Sequence, residues 1–129
     1  MNKGYIALIS VLIIQALILA IIIGIFLRSN TEIKLALGEQ LSGKSRALAE
    51  ACAEYALQQL KNNSNYSGNE SIIIDGNDSC DILPIETSGS DKIVKTQSAV
   101  SGYTRKIKIN VIQINPEMFT SYWNEVPDF

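Results

Sequence analysis

Histidine is absent from the 129-residue sequence, cysteine occurs twice, tryptophan once, and the three prolines all lie at or beyond Pro84. Without histidine there is no imidazole to serve as general base or as a metal ligand. No phosphate-binding loop and no pairing of a nucleophile with a base stands elsewhere in the chain, so no set of residues is in place for turnover chemistry. We therefore expect a protein that is not an enzyme and needs no cofactor. A basic surplus is missing as well: 11 Lys and Arg face 13 Asp and Glu, for a net charge of −2. That balance leaves no nucleic-acid footprint.

What the chain has in excess is one apolar run. Residues 5–27 carry only two clearly polar side chains, Ser10 and Gln15. At about 1.5 Å per residue, a helix of this length spans roughly 35 Å, more than the roughly 30 Å of a bilayer's hydrocarbon core. Sixteen of these residues are Ile, Leu, Val or Phe. Each favours insertion by roughly 0.3 to 0.6 kcal/mol, a total that outweighs one Gln and one Ser. A helix is the expected form, because a lone strand cannot satisfy its own backbone in lipid. A cleaved secretory signal has a shorter apolar region of roughly 7 to 15 residues and a small-residue cleavage site, whereas this run ends in Phe26-Leu27-Arg28-Ser29. A soluble core helix fits no better, since a domain of this size is too thin to hide an all-apolar helix on every side.

The run begins abruptly. Met1-Asn2-Lys3-Gly4 is a short basic leader, and Tyr5-Ile6-Ala7-Leu8-Ile9 follows it without a pause. This order resembles the class III signal of type IV prepilins and pseudopilins. The resemblance implies cleavage between Gly4 and Tyr5 by prepilin peptidase, a membrane aspartyl enzyme, and methylation of the new amino terminus. It further implies a stay in the lipid bilayer, contacts with other pilin subunits through the N-terminal helix, and extraction by pilus assembly machinery. A small residue suits such a junction, because the chain must be extended into the protease before the helix starts. Major pilins usually carry glutamate at the fifth mature position, where it neutralises a neighbour's amine; here that position is Ile9. An unpaired charge in lipid is costly, so the departure points to a minor, tip-located subunit rather than a major one. Pilus, secretion pseudopilus and DNA-uptake fibre all use this signal. The rival reading is a single-pass anchored extracytoplasmic binding or accessory domain that does not polymerise.

Flanking charges do not orient the span: Lys3 and the starting amine oppose Arg28 and Lys34, a near tie under the positive-inside rule. Cysteine usage breaks it. Cys52 and Cys80 in a small domain suit an oxidising compartment, placing the amino terminus in the cytoplasm and the rest outside the cytoplasmic membrane. A bond between them would close a loop of about 28 residues and add roughly 3 to 4 kcal/mol in the chain-entropy model. The other reading, two buried free thiols, stays open at this point.

Beyond the span, apolar residues recur at Ile33, Leu37, Leu41, Leu48, Cys52, Tyr55 and Leu60, in steps of three, four or seven up to Tyr55 and a last step of five, which mark one helix face. The helix is predicted to run on to about residue 62, with Gly38 and Gly43 as its weakest places. Alanines at 47, 49, 51, 53 and 56 keep it thin enough for close packing. Turn formers crowd residues 62–69, and the pattern then changes to strands over 71–74, 80–85, 92–96 and 103–114. In the last of these, Ile107, Ile109 and Val111 alternate with Lys106, Lys108 and Asn110, and the phase then shifts to Ile112 and Ile114, which predicts a bulge near Val111. The expected organisation is a leader (1–4), a membrane helix (5–28), its amphipathic continuation (29–62) and an exported β-sheet domain packed on it (63–129). This is an α+β architecture, and the resemblance implies the same pilin-like fold.

Three weaker signals remain. Asp75, Asn77, Ser79, Asp81 and Glu86 have calcium-loop spacing, but Cys80 replaces the turn glycine and Pro84 intrudes, so a solvated hairpin turn and no metal are expected. Asn-x-Ser triplets at Asn62, Asn65, Asn69 and Asn77 arise easily in a turn-rich stretch. The carboxy-terminal segment concentrates Phe119, Tyr122, Trp123 and Phe129. It is expected to cap the core or the end of the sheet, the alternative being an adhesive or subunit-contact patch.

Overall fold

The structure, a computed structural model, describes residues 3–129. Met1 and Asn2 of the expected leader, and the side chains of Lys3 and Asp75, lie outside the described residues. The chain divides into two compact units, one up to Leu37 and the other Gly38–Phe129.

Helix α1 is assigned over Lys3–Asn62 without interruption, as the lack of any helix-interior proline allows. It stops where side chains begin to compete for backbone groups. The Asn63 amide still bonds Gln59 O, but the Tyr66 amide turns back to Asn63 O and the Asn65 amide to Asn63 Oδ1. Gly68 and Asn69 then take positive φ, 67° and 61°. A Cβ on Gly68 would stand 2.5 Å from Leu83 O, so only glycine fits there.

Six antiparallel strands follow: β1 (Glu70–Asp75), β2 (Asp78–Ile82), β3 (Glu86–Ser88), β4 (Asp91–Val100), β5 (Tyr103–Gln113) and β6 (Phe119–Val126). The sheet order is β1-β2-β4-β5-β6, with β3 also paired to β4. The predicted hairpin of β1 and β2 is present, its turn at Gly76 in positive φ. β2 is shorter than predicted, because Pro84 has no amide to extend the ladder; Leu83 N to Lys95 O is the last bond before it. β4 runs four residues past the predicted end at 96. Its Ser98, which reads as loop-forming, finds partners in the fold: Ser98 Oγ donates to Ser79 O, and Ser45 Oγ donates to Ser98 O. The predicted irregularity at Val111 is present as register shifts between Asn110 and Val111 and between Val111 and Gln113.

The core lies between one face of the sheet and one stripe of α1 within the second unit. Cys80, Ile82, Val94, Val100, Ile107, Ile109 and Val111 meet Leu48, Ala49, Cys52, Ala53, Ala56 and Leu60. Two features of the predicted stripe are corrected. Tyr55 is 38% exposed and Ile33 and Leu37 are exposed, whereas Ala49, Ala53 and Ala56 are buried in their place. Small side chains hold the stripe because a twisted sheet must approach the helix closely, and backbone proximity outranks the size of any one apolar group. A Cβ at Gly38 would meet the Tyr103 hydroxyl at 2.7 Å, the far end of a side chain that can move aside.

Candidate membrane span and processing junction

Among the described residues, one helix is long and apolar enough to cross a membrane. Its apolar half buries none of its large side chains in the chain itself. Even the least exposed of those at 5–27, Ile9, is 37% accessible. Ser10 Oγ donates to Ile6 O at 2.9 Å, so its hydroxyl is satisfied by the helix backbone and enters an apolar phase at reduced cost. After the run come Arg28 and Glu32, paired at 3.0 Å and exposed, at the point where the sequence turns polar. This helix is a candidate membrane span by length, composition and exposure.

Gly4 and Tyr5, the predicted processing junction, lie in the first turns of α1, with Tyr5 65% exposed. The extended approach expected at Gly4 is therefore not the ground state. The first turn of a helix is easily unwound, because its amides have no intrahelical acceptor. A Cβ on Gly4 would meet nothing within 4 Å; the site is open.

In the second unit, Cys52 and Cys80 form a disulfide with Cα atoms 6.2 Å apart, joining α1 to β2. Buried hydrogen bonds reinforce the same join. Thr96 Oγ1 donates to Ala49 O at 2.9 Å, and Ser45 Oγ to Ser98 O at 2.9 Å. A charged network ties the helix to β5 and β6. Arg105 donates to Ser42 Oγ and pairs with Glu125 at 2.6 Å, while Arg46 pairs with Glu50 at 2.9 Å and lies 3.8 Å from Glu125. The hydrogen bond and charge of Glu50, with the charge of Glu125, raise the Arg46 pKa. Lys44 pairs with Asp78. Apart from the disulfide and the i,i+4 pair of Arg46 with Glu50, these cross-links were not legible in the sequence, because their partners are tens of residues apart and follow no local spacing.

The calcium-like spacing finds no support in what is described. Asp81 accepts from Ser71 and from Gln97, and Glu86 pairs with Lys95 at 2.6 Å. Asp75, the first position of that loop, has its side chain outside the described residues. Among those searched, no three His, Cys, Asp or Glu residues converge as a metal site.

The aromatic carboxy-terminal segment corrects expectation. Rather than a cap, it is the edge strand β6, with Trp123 opposite Ile109 and Asn124 opposite Lys108. Phe119, Tyr122 and Trp123 remain exposed along it. After β6 the Phe129 ring lies 5.7 Å from Lys95 Nζ and 5.1 Å from Lys106 Nζ. The hydrogen bond from Lys106, with one involving the Phe129 backbone, lowers the Asp128 pKa. Partial burial, then the hydrogen bond to Glu70, raises the Tyr66 pKa.

These parts define an α+β protein with one helix long and apolar enough to be a candidate membrane span and an antiparallel sheet joined to α1 by a disulfide. No family model, curated protein or solved structure matches the chain.

Proposed function

We propose that the chain is a minor pilin or pseudopilin, a structural subunit of a type IV pilus-like or type II secretion-like filament. In this reading prepilin peptidase removes residues 1–4 and Tyr5 becomes the methylated amino terminus. The span then holds the subunit in the cytoplasmic membrane, amino terminus inside and sheet domain outside, until assembly machinery draws it into a filament. Apolar area withdrawn from lipid is reburied against the N-terminal helices of sister subunits. The protein acts by assembly, without catalysis.

The observation that carries this reading is the order of elements. A basic leader and glycine precede an apolar helical run, and the later part of α1 packs under an antiparallel sheet. Ile9, in place of the carboxylate of major pilins, supports a tip or minor position, since the subunit lacks the group that would receive an incoming amine. The disulfide supports an oxidising outer compartment.

Mass spectrometry of the mature amino terminus tests the proposal. N-methylated Tyr5 is the expected result, lost in Gly4→Val. An intact leader in the wild-type chain would overturn it in favour of an anchored domain that does not polymerise.

A further inference from the structure

The span holds two polar side chains, and they behave differently. Ser10 is satisfied by its own helix, whereas Gln15 makes no hydrogen bond among the described residues. Gln15 stands one residue from the midpoint of the run 5–27, so its Cα lies about 1.5 Å along the helix axis from the middle of that run. The Gln15 carboxamide brings two donors and an acceptor to the depth where water is scarcest, and polar groups at that depth almost always face other helices.

The residues sharing its face are Leu8, Leu12, Leu19, Ile22 and Phe26. With Gln15 they form an unbroken series of steps of four and three, the seam of a left-handed helix pair with one polar core position. The small residues Ala16, Ala20 and Gly24, spaced by four, share a different face. A carboxamide complements itself, each donating to the other's oxygen. Two copies inserted in the same direction place their Gln15 groups at the same depth, so a second copy is the occupant that this seam fits.

We propose that the chain forms a parallel, in-register pair with a second copy in the bilayer, through the seam from Leu8 to Phe26 with Gln15 as its hydrogen-bonded centre. The pairing rests on the membrane-spanning part of the proposed function and not on processing or polymerisation. It gives a stored, membrane-resident form in which the polar group is satisfied. One polar core position also sets register, since any slip along the seam leaves both amides unpaired.

The test uses the full-length, disulfide-intact chain in phosphatidylcholine vesicles, with energy transfer between labelled copies measured as the protein-to-lipid ratio is varied. Gln15→Leu is expected to weaken pairing roughly 5- to 30-fold, about 1 to 2 kcal/mol. Gln15→Asn should retain most of it and Ser10→Ala all of it. Oxidative cross-linking supplies the geometry: Leu12→Cys and Leu19→Cys should cross-link, and Ile13→Cys and Leu17→Cys should not. Unchanged pairing in Gln15→Leu, or cross-linking along the Ala16, Ala20 and Gly24 face, would overturn the proposal. Insertion is checked in parallel by alkaline extraction. A chain that inserts yet stays monomeric sinks the pairing alone; one that never inserts sinks the membrane reading with it.

Discussion

Residues 5–27 and 45–60 of α1 share a backbone conformation and differ in what covers them. In the first stretch sixteen large apolar side chains are spread round every side and none is buried by the chain. In the second, the buried positions are Ser45, Leu48, Ala49, Cys52, Ala53, Ala56 and Leu60, a narrow stripe rich in small residues. Lipid is fluid and adapts to any outline, so it rewards apolar area wherever it points. A sheet is rigid and close-packed, so it rewards shape on one face. The same helix therefore carries two compositions, one of the kind that lipid accepts and one fitted to the sheet.

The sharpest way to break this comparison is to loosen the rigid half alone. Replacing Cys52 and Cys80 together by serine should cost roughly 3 to 4 kcal/mol in the chain-entropy model, measured by urea unfolding of the full chain in mild detergent. Membrane extraction should be unaffected. The reciprocal change is Leu17→Lys, which places a cation near the bilayer centre. Insertion should weaken by roughly 3 kcal/mol, read as loss from the membrane fraction, while the disulfide still forms when the purified chain is oxidised in solution.

A single kind of substitution made in both halves sharpens the contrast further. Ala53→Leu should destabilise the sheet domain by roughly 1 to 3 kcal/mol through overpacking against the sheet. Ala20→Leu, the same change in the span, should leave both insertion and domain stability within about 0.5 kcal/mol of wild type. Equal effects at the two positions would mean that the halves do not differ as described.

The smallest expected effect is electrostatic and confined to the exposed rim. Asp128 is held below the ordinary carboxylate range by its Lys106 hydrogen bond, with the Phe129 backbone and Lys106 charge adding to this. A depressed folded pKa stabilises the native state above the unfolded value and loses that contribution as pH falls through the folded one. Acid unfolding profiles of wild type and Asp128→Asn should thus converge below about pH 4. They should differ slightly above it, and less at high salt. Tyr66 carries the opposite sign: its raised pKa stabilises the fold below about pH 10 and is lost as pH rises further. Tyr66→Phe should remove that alkaline component.

The predicted strands that appeared are those with a clean local signal. Ile107, Ile109 and Val111 announce β5 by alternation, and the phase shift after Val111 announces its bulge. β6 carried no such signal. Its residues remain exposed except for the half-buried Val126, so burial never imposed a pattern on them, and the segment is a strand because β5 offers it a ladder. The tryptophan and tyrosine that suggested a cap are exposed along that edge. The processing junction remains a reading of residues 1–5.

The sequence by itself determined the elements whose causes are local: an apolar helix long enough to span a bilayer, its end among turn-forming asparagines, the β1–β2 hairpin and the alternation of β5. Tertiary structure alone decided which alanines lie under the sheet, that Tyr55 turns outward, that Ser98 and Thr96 belong in the core, and that the carboxy-terminal segment completes the sheet. Those choices depend on partners far apart along the chain. Their free energy exists only once both surfaces are in place, so no window of neighbouring residues could have recorded it.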